Sequence, residues 1–527
     1  MAVGQLCGKM VDSIEGLFRS HRVIFVLASC FTFGALAHLF AYTNLFPTHD
    51  ALYNQCFDSL EFAHQTALGR FLLPAFVALS GSTVSLPVTA GFLSLLFLGL
   101  LSLIVIDTFR LDAVTSIAVS GIIVTNRTIV ALTATYLPWL SADCFAALLA
   151  GFAFYLWSKQ TEKSAEVRVC WIAGSIACLF AALALYQAMI SVFLVLVAAK
   201  SVVDLAQGGE VRSAMKWGCL AIAIILLAGI FYFGAFKAIK AFLGLQVIDT
   251  YNSIDSLGKS GEGMITRLSA CYGQVFDLFF GVKLVNVFPR ALIRVVYACL
   301  FIAGVLAAIG LCLKNARTAG SVIVVVALLA LMPFLANVCR VLNADTHDLM
   351  YLGVWFLAVV PVLILSGGGA APSKAMPKVF VVLCLMFLSF SNIQTANLAY
   401  QVKKADFDAT VNLMVEVTSR IDQIDGYVEG ETPVVFAGSM RDQIVHSEMQ
   451  ERVLPITGLR AEALNVTNDV TPYLNVGNID RFYKNILMRK TLVKATTTEE
   501  AALYDARPSF PDKGSIWCED GTVFVKL

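Results

Sequence analysis

Long runs of apolar residues, each ended by a charge or a polar cluster, dominate the first 400 residues of the chain. The clearest runs lie at 23–43, 83–106, 217–236, 295–313, 318–339, 349–367 and 379–396. Each is close to the roughly 20 apolar residues that a helix needs to cross a bilayer. The pattern therefore predicts a polytopic α-helical membrane protein.

Less regular apolar stretches complete the set, at 113–130, 141–158 and 169–199. Arg127 interrupts the first of them. The third carries no charge and is too long for one helix, so we read it as two helices that meet at Tyr186-Gln187. The total is about eleven membrane-spanning helices.

Lysine and arginine collect in alternate short loops, beginning with the N-terminal segment, which places the N-terminus in the cytoplasm. Residues 1–22 carry scattered charge and the first apolar run is long enough to span, so we expect no cleaved signal peptide. An odd number of helices then puts the loops 44–82 and 237–290, and everything after residue 396, on the extracytoplasmic side. The predicted site for chemistry lies among these three pieces.

The last part of the chain is much richer in charged residues. Of the 75 charged residues in the chain, 38 basic and 37 acidic, 33 fall within 403–527. Apolar residues from Phe407 to Ile424 recur at helical spacing. The segment 433–438 reads as a buried strand and 515–526 as a hairpin. We therefore predict a membrane domain, 1–396, followed by a small soluble α/β domain, 397–527.

Composition excludes several classes of protein. With 58% hydrophobic residues and a mean hydropathy of +0.77, the chain has more apolar surface than one soluble core can bury. Its net charge of +1 provides no field for nucleic acid. The 13 cysteines show no metal-ligand spacing, so neither a metal nor another cofactor is predicted.

The first outer loop sets a carboxylate just beyond the first helix. Asp50 could take a proton from a hydroxyl nucleophile as a general base. The alternative is that Asp50 caps a short loop helix after Pro47-Thr48.

Arginines near the predicted outer ends of helices could bind a phosphate, because the planar guanidinium matches phosphate oxygens. Arg70 in the first loop is one, and Arg290 and Arg294 before the eighth helix are others. The commoner role of such an arginine is to reach out to lipid headgroups. The same choice applies to Arg340.

Polar residues at other predicted outer helix ends could bind a sugar. Tyr136 and Tyr186 could equally belong to the aromatic belt at the membrane surface. Asp143 and Gln187 stand next to apolar segments, and Gln187 must find a partner, either a sugar hydroxyl or a helix-turn hydrogen bond.

Taken together, these residues resemble the glucosyl transferase II family, membrane enzymes of phages and bacteria that add glucose to O-antigen. The resemblance lies in the order and spacing of Asp50, Gly69-Arg70, Tyr136 with Asp143, Tyr186-Gln187 and an asparagine-rich exit into the tail. The family's first loop tends to carry two adjacent acidic residues, where this chain has His49-Asp50. Its Tyr-Arg-Phe-Asp stretch is lengthened here between Tyr136 and Asp143.

The resemblance implies a GT-C membrane fold in the bacterial inner membrane. It implies an enzyme that moves a hexose, glucose in this family, from a polyprenyl-phosphate donor to an extracytoplasmic glycan such as the O-antigen of lipopolysaccharide or another surface polysaccharide. Asp50 would be the base and Arg70, Arg290 and Arg294 would bind the phosphate. A flippase and a donor synthase would be partner proteins. The residues left to bind substrate would be His49, Tyr136, Asp143, Tyr186, Gln187 and Arg340.

Two other classes of function stay open at the level of sequence. A multi-span transporter or lipid-carrier flippase would show repeated halves and ionisable residues at mid-bilayer. The chain shows no repeated halves, and its charges lie near helix ends. A non-catalytic assembly partner would leave Asp50 and Arg70 without a shared cavity.

Overall fold

The computed structural model describes residues 15–48, 51–52, 59–81, 84, 86–159, 164–246, 261–315, 319–343, 346–366, 375–438, 447–457, 476–495, 503–504 and 506–527. Most of these residues are helical. The helices before the tail are α1 (Arg22–Thr43), α2 (Ser59–Ala67), α3 (Leu73–Ser80), α4 (Pro87–Phe109), α5 (Ala113–Thr125), α6 (Arg127–Thr135), α7 (Leu140–Ser158), α8 (Ala165–Leu185), α9 (Ile190–Ala206), α10 (Val211–Leu243), α11 (Met264–Phe279), α12 (Arg290–Asn315), α13 (Ala319–Ala336), α14 (Val338–Leu342), α15 (Leu352–Phe356), α16 (Val360–Ser366) and α17 (Ala375–Ile421).

Within the described residues, ten helical segments are long and apolar enough to cross a membrane. A shorter apolar pair, α15 with α16, occupies Leu352–Ser366. Together they fall at the eleven positions that the hydrophobic pattern predicts. The prediction of a polytopic helical membrane protein is thus confirmed.

The third span is divided at Asn126, whose extended backbone separates α5 from α6. The Asn126 side chain caps α6 by accepting a hydrogen bond from the Ile129 amide at 3.2 Å. The Val124 carbonyl, left without a helical partner by the break, accepts one from His38 Nε2 at 2.8 Å. Local side chains therefore satisfy the backbone groups that the break exposes. Almost all of α6 is buried.

The last membrane helix, α17, continues for 47 residues to Ile421. The amphipathic helix predicted from Phe407 is its C-terminal part rather than a separate element. No Pro or Gly lies between residues 379 and 421, so nothing in the backbone stops the helix. Residues 396 and 397 lie inside it, and the change from apolar span to tail takes place without a break.

The tail forms a small sheet beside the end of α17. Its strands are β1 (Pro433–Ala437), β2 (Leu492–Lys494), β3 (Ile516–Glu519) and β4 (Thr522–Lys526), in the order β2-β1-β4-β3. β1 is parallel to both neighbours, and β3 and β4 form an antiparallel hairpin. The strand and hairpin predicted from sequence are confirmed. The tail also holds the helices α18 (Glu448–Glu451), α19 (Leu454–Thr457) and α20 (Val476–Asn485).

Two segments join the tail to the membrane part. Leu52, from the first loop, is fully buried in the tail core beside Met414 and Phe482. In the other direction, Leu454 and Ile456 of α19 pack into the large core of the membrane helices. The tail is therefore docked on the membrane part at two places.

α11 turns its apolar side outward. Ile265 and Phe276 are 84% and 61% exposed, whereas Arg267 and Cys271 on the opposite side are buried. Gln274 accepts hydrogen bonds from Asn337 on the segment before α14. A helix with its polar side against the protein and its apolar side outward is suited to a lipid surrounding.

Candidate active site at the ends of α6

Arg70 follows directly on the turn that ends α2. Gly69 has φ +91°, a left-handed conformation that favours glycine, and the Arg70 amide donates to the Gln65 carbonyl at 2.9 Å. The Arg70 side chain donates to Gln65 Oε1 at 3.1 Å. Its guanidinium carbon lies 4.8 Å from the centre of the Tyr186 ring. The turn and the ring together fix where this cation lies.

Gln187 ties the same turn to two membrane helices. Its Nε2 donates to the Leu68 carbonyl at 3.1 Å and to the Tyr232 hydroxyl at 2.9 Å. The Tyr232 hydroxyl donates in turn to the Gly69 carbonyl at 3.1 Å. The break between α8 and α9 therefore anchors the loop that carries Arg70. The partners of the Gln187 amide nitrogen are thus residues 119 and 45 positions away rather than a neighbour in its own helix turn.

Asp143 lies in the first turn of α7 and is 8% exposed. The Arg70 guanidinium is close enough to this carboxylate for an electrostatic interaction. Tyr136, at the end of α6, packs against Trp139 with 5.1 Å between ring centres. Trp139 in turn contacts Leu73 of α3, just beyond Arg70. The structure thus brings Arg70, Tyr136, Asp143, Tyr186 and Gln187 to neighbouring positions.

The residues flanking the predicted base are held on both sides. The Thr48 hydroxyl donates to the Thr135 carbonyl at 2.9 Å and accepts from the Ala51 amide at 3.2 Å. The Leu52 carbonyl accepts from Asn485 of the tail at 3.2 Å. The predicted residues His49 and Asp50 themselves lie outside the described residues. Their neighbours join the C-terminal end of α6 to the tail.

Three other predicted arginines lie near the two ends of α11 and the start of α12. Arg290 is exposed. Arg294 donates to the Gly281 carbonyl at 3.2 Å. Arg340 binds both carboxylate oxygens of Glu262, at 2.9 and 3.1 Å. Hydrogen bonds from Arg340 hold the pKa of Glu262 below its usual value. A role in binding substrate stays a prediction for all three.

In the comparison with protein families, the chain matches the model described as glucosyl transferase GtrII over residues 39–362. This range is more than half of the chain. The protein belongs to the glucosyl transferase GtrII family. Searches of curated proteins and of solved structures gave no match. The GtrII match ends before the tail and includes Arg70, Tyr136, Asp143, Tyr186 and Gln187, which we call the Arg70 group.

The GtrII range also contains a charged pair that the sequence did not single out. Arg127, at the start of α6, donates to the Asp348 carboxylate through Nε at 3.1 Å and also through Nη2. Its remaining contacts are the carbonyls of Lys283 and Pro455. The hydrophobic pattern treats Arg127 only as an interruption. An ionisable residue inside an apolar run is itself a signal of a functional or paired position.

Two arginines therefore mark the two ends of this buried helix in the GtrII protein. At the rise of an α-helix, Arg127 and Thr135 are about 12 Å apart along the axis. Among the described residues there is no group of three His, Cys, Asp or Glu that could hold a metal ion. The described groups at the two ends of α6 include guanidinium, carboxylate, amide and phenol.

Proposed function

We propose that this membrane glucosyltransferase takes glucose from a polyprenyl-phosphate donor and transfers it to an extracytoplasmic glycan, such as O-antigen or another surface polysaccharide. The family match supports sugar transfer over transport. The many apolar helices support a donor that itself resides in the bilayer. The proposal includes a bacterial inner-membrane location with the tail on the extracytoplasmic side, and a GT-C arrangement of the helices.

The observation that carries the proposal is the placement of Arg70 over the Tyr186 ring, beside Asp143. A guanidinium stacked on a ring presents the N–H groups at its edge in one plane, which suits two phosphate oxygens. Such a cation stabilises the charge that develops on a departing polyprenyl phosphate. Arg290 and Arg294 would add positive charge from the start of α12.

In the proposed reaction, Asp50 removes the proton from the acceptor hydroxyl as the oxygen attacks the anomeric carbon of glucose. The new carbon–oxygen bond forms as the bond to the phosphate oxygen breaks, and the electron pair leaves on the polyprenyl phosphate. One such displacement inverts the anomeric centre. Thr48 and Leu52, on either side of Asp50 in the sequence, contact the end of α6 and the tail.

Other predicted residues have supporting roles in the proposal. Tyr186 orients Arg70, and Gln187 holds the loop that carries it. Tyr136, Asp143 and His49 would contact the substrates, whereas Arg340 is bound by Glu262. Partners of this enzyme would be a flippase and a donor synthase, since a lipid-linked sugar must be made and brought to the outer leaflet.

The direct test incubates the purified protein with radiolabelled polyprenyl-phosphate glucose and candidate glycans. Asp50→Asn should lower transfer by about 100-fold or more, because a general base contributes about 10²- to 10⁴-fold. Asp58→Asn, in the same loop, is the matched control and should stay near wild type. Unchanged transfer by Asp50→Asn would remove this residue from the mechanism. Transfer from nucleotide sugars but from no lipid donor would refute the donor class.

A further inference from the structure

A small cavity lies at the N-terminal end of α6, apart from the Arg70 group. Membrane helices line most of it, and the tail closes it. Its lining includes Arg127, Asn286, Tyr297, Trp355, Asn392 and Ile456. We call it the α6 cavity.

Two amide side chains present hydrogen-bond donors to the α6 cavity. Asn392 Nδ2 is buried and has no hydrogen-bond partner among the described residues. The Asn286 carbonyl oxygen accepts from Ser391 at 2.7 Å and from the Phe288 amide at 2.9 Å, which leaves the Asn286 amide nitrogen to donate. A buried donor without a partner is energetically unfavourable. The cavity is therefore prepared for a group rich in acceptor oxygens.

The positive charge of Arg127 in the cavity wall is neutralised by a carboxylate. Arg127 is paired with Asp348, and the two side chains are 8% and 16% exposed. A ligand anion would have to compete with this carboxylate. The rings of Tyr297 and Trp355, both almost fully buried, add apolar surface. Amide donors, aromatic rings and balanced charge favour a neutral polyhydroxyl ligand over a phosphate.

The tail provides the cover. Leu454 and Ile456 are 7% and 4% exposed, and the Pro455 carbonyl accepts from Arg127 at 3.3 Å. The α6 cavity beneath these two side chains has about the volume of one water molecule. A sugar ring can therefore enter only if this cover, residues 447–457, moves away.

We propose that the α6 cavity binds a neutral sugar residue of the acceptor glycan, and that the cover withdraws to admit it. This inference rests on the proposed function. The acceptor would extend about 12 Å along α6, from the cavity to the Thr48 contact and the Arg70 group. The donor phosphate and the acceptor sugar would thus be bound at opposite ends of one helix.

The first experiment measures the acceptor KM at saturating lipid donor for Asn392→Leu and Asn286→Leu. Gln394→Leu, an exposed amide on the same helix, is the matched control. We expect the acceptor KM to rise about tenfold in the first two, as for a lost hydrogen bond of about 1.4 kcal/mol. The donor KM, and donor hydrolysis without acceptor, should not change. An unchanged acceptor KM in both variants would overturn the inference, as would an equal rise in the donor KM.

The milder Asn392→Ser keeps the test usable if the leucine variants do not fold. Direct binding separates this inference from the proposed function. Neutral oligosaccharides should change tryptophan fluorescence in wild type and not in Trp355→Phe, whether or not the lipid donor is used. Inorganic phosphate should have no such effect. A response to phosphate alone would assign the cavity to an anion instead.

Movement of the cover can be measured separately, by limited proteolysis with trypsin. Arg452 is an exposed residue of the cover and a trypsin site, and Lys490 is an exposed tail site outside it. Saturating oligosaccharide should speed cleavage after Arg452 and leave cleavage after Lys490 unchanged. Equal rates at Arg452 with and without sugar would contradict the withdrawal.

Discussion

An arginine lies at each end of α6, and the contacts of the two arginines differ. At the N-terminal end, Arg127 is bound by the Asp348 carboxylate and by backbone carbonyls. At the C-terminal end, Arg70 contacts the amide oxygen of Gln65 and the ring of Tyr186. A carboxylate pair fixes a structure and neutralises the cation. At the other end, a ring and an amide oxygen hold the Arg70 cation in place.

α6 thus has a buried ion pair at its N-terminal end and an arginine held by a ring and an amide at its C-terminal end. The break at Asn126 divides the third membrane span, and α6 is its buried second part, with a loop or tail contact at each end. Thr48 binds one end and Pro455 the other. The predictions below test whether the two ends divide their roles in this way.

The largest effect on stability is expected at the N-terminal end. Asp348→Ala leaves a buried guanidinium without its carboxylate, which typically costs about 3–5 kcal/mol. The double variant Arg127→Leu with Asp348→Leu removes both charges and should recover most of this loss. Melting temperatures in detergent measure both. If the single variant were as stable as the double, Arg127 would not depend on Asp348 and the comparison would fail at this end.

The largest effect on activity alone is expected at the other end. Arg70→Ala should lower kcat/KM for the lipid donor about 100- to 1000-fold, the usual range for losing one transition-state charge contact. Arg70→Lys keeps a charge but loses the planar stack, so it should fall between. Arg212→Ala, exposed at the start of α10, is the control. A large fall in melting temperature with modest loss of activity would make Arg70 a second structural arginine.

Substitution of Tyr186 tests the orientation of Arg70 without removing its charge. Tyr186→Leu removes a cation–π contact of about 0.5–2 kcal/mol, which corresponds to about a 2- to 30-fold rise in the donor KM. Tyr186→Phe keeps the ring and is the matched control. Equal kinetics for the leucine and phenylalanine variants would show that the ring does not orient the guanidinium.

The membrane helices could be predicted because each needs only a sufficient run of apolar residues, a local property. Arg70, Tyr186 and Gln187 could also be found, since polar residues at helix ends stand out against such runs. The pairing of Arg127 with Asp348 could not, because its partners are 221 positions apart and only tertiary packing joins them. The contact between Arg340 and Glu262 was missed for the same reason.

Continuity of α17 is a different case. The stretch after residue 396 changes from apolar to charged, which the pattern interprets as a domain boundary. A helix needs only its backbone hydrogen bonds and an absence of Pro and Gly, and both conditions hold across that point. Composition predicts a change of surroundings near residue 396, which stays a prediction, but it does not predict where the helix ends.

The smallest effect is expected at the Arg340–Glu262 pair, which lies at neither end of α6 and serves as a reference for an ordinary structural contact. Glu262→Gln should lower the melting temperature slightly at neutral pH and leave the donor KM unchanged. The pKa of Glu262 is lowered in the folded protein, so its contribution is fully present above the pKa of an unfolded glutamate, about 4.3. That contribution is lost as the pH falls through the folded pKa. The difference in melting temperature between wild type and Glu262→Gln should accordingly stay constant down to about pH 4.3 and shrink below it. A rise in the donor KM at neutral pH would instead draw Arg340 into the active site and remove the contrast on which the comparison of the two ends depends.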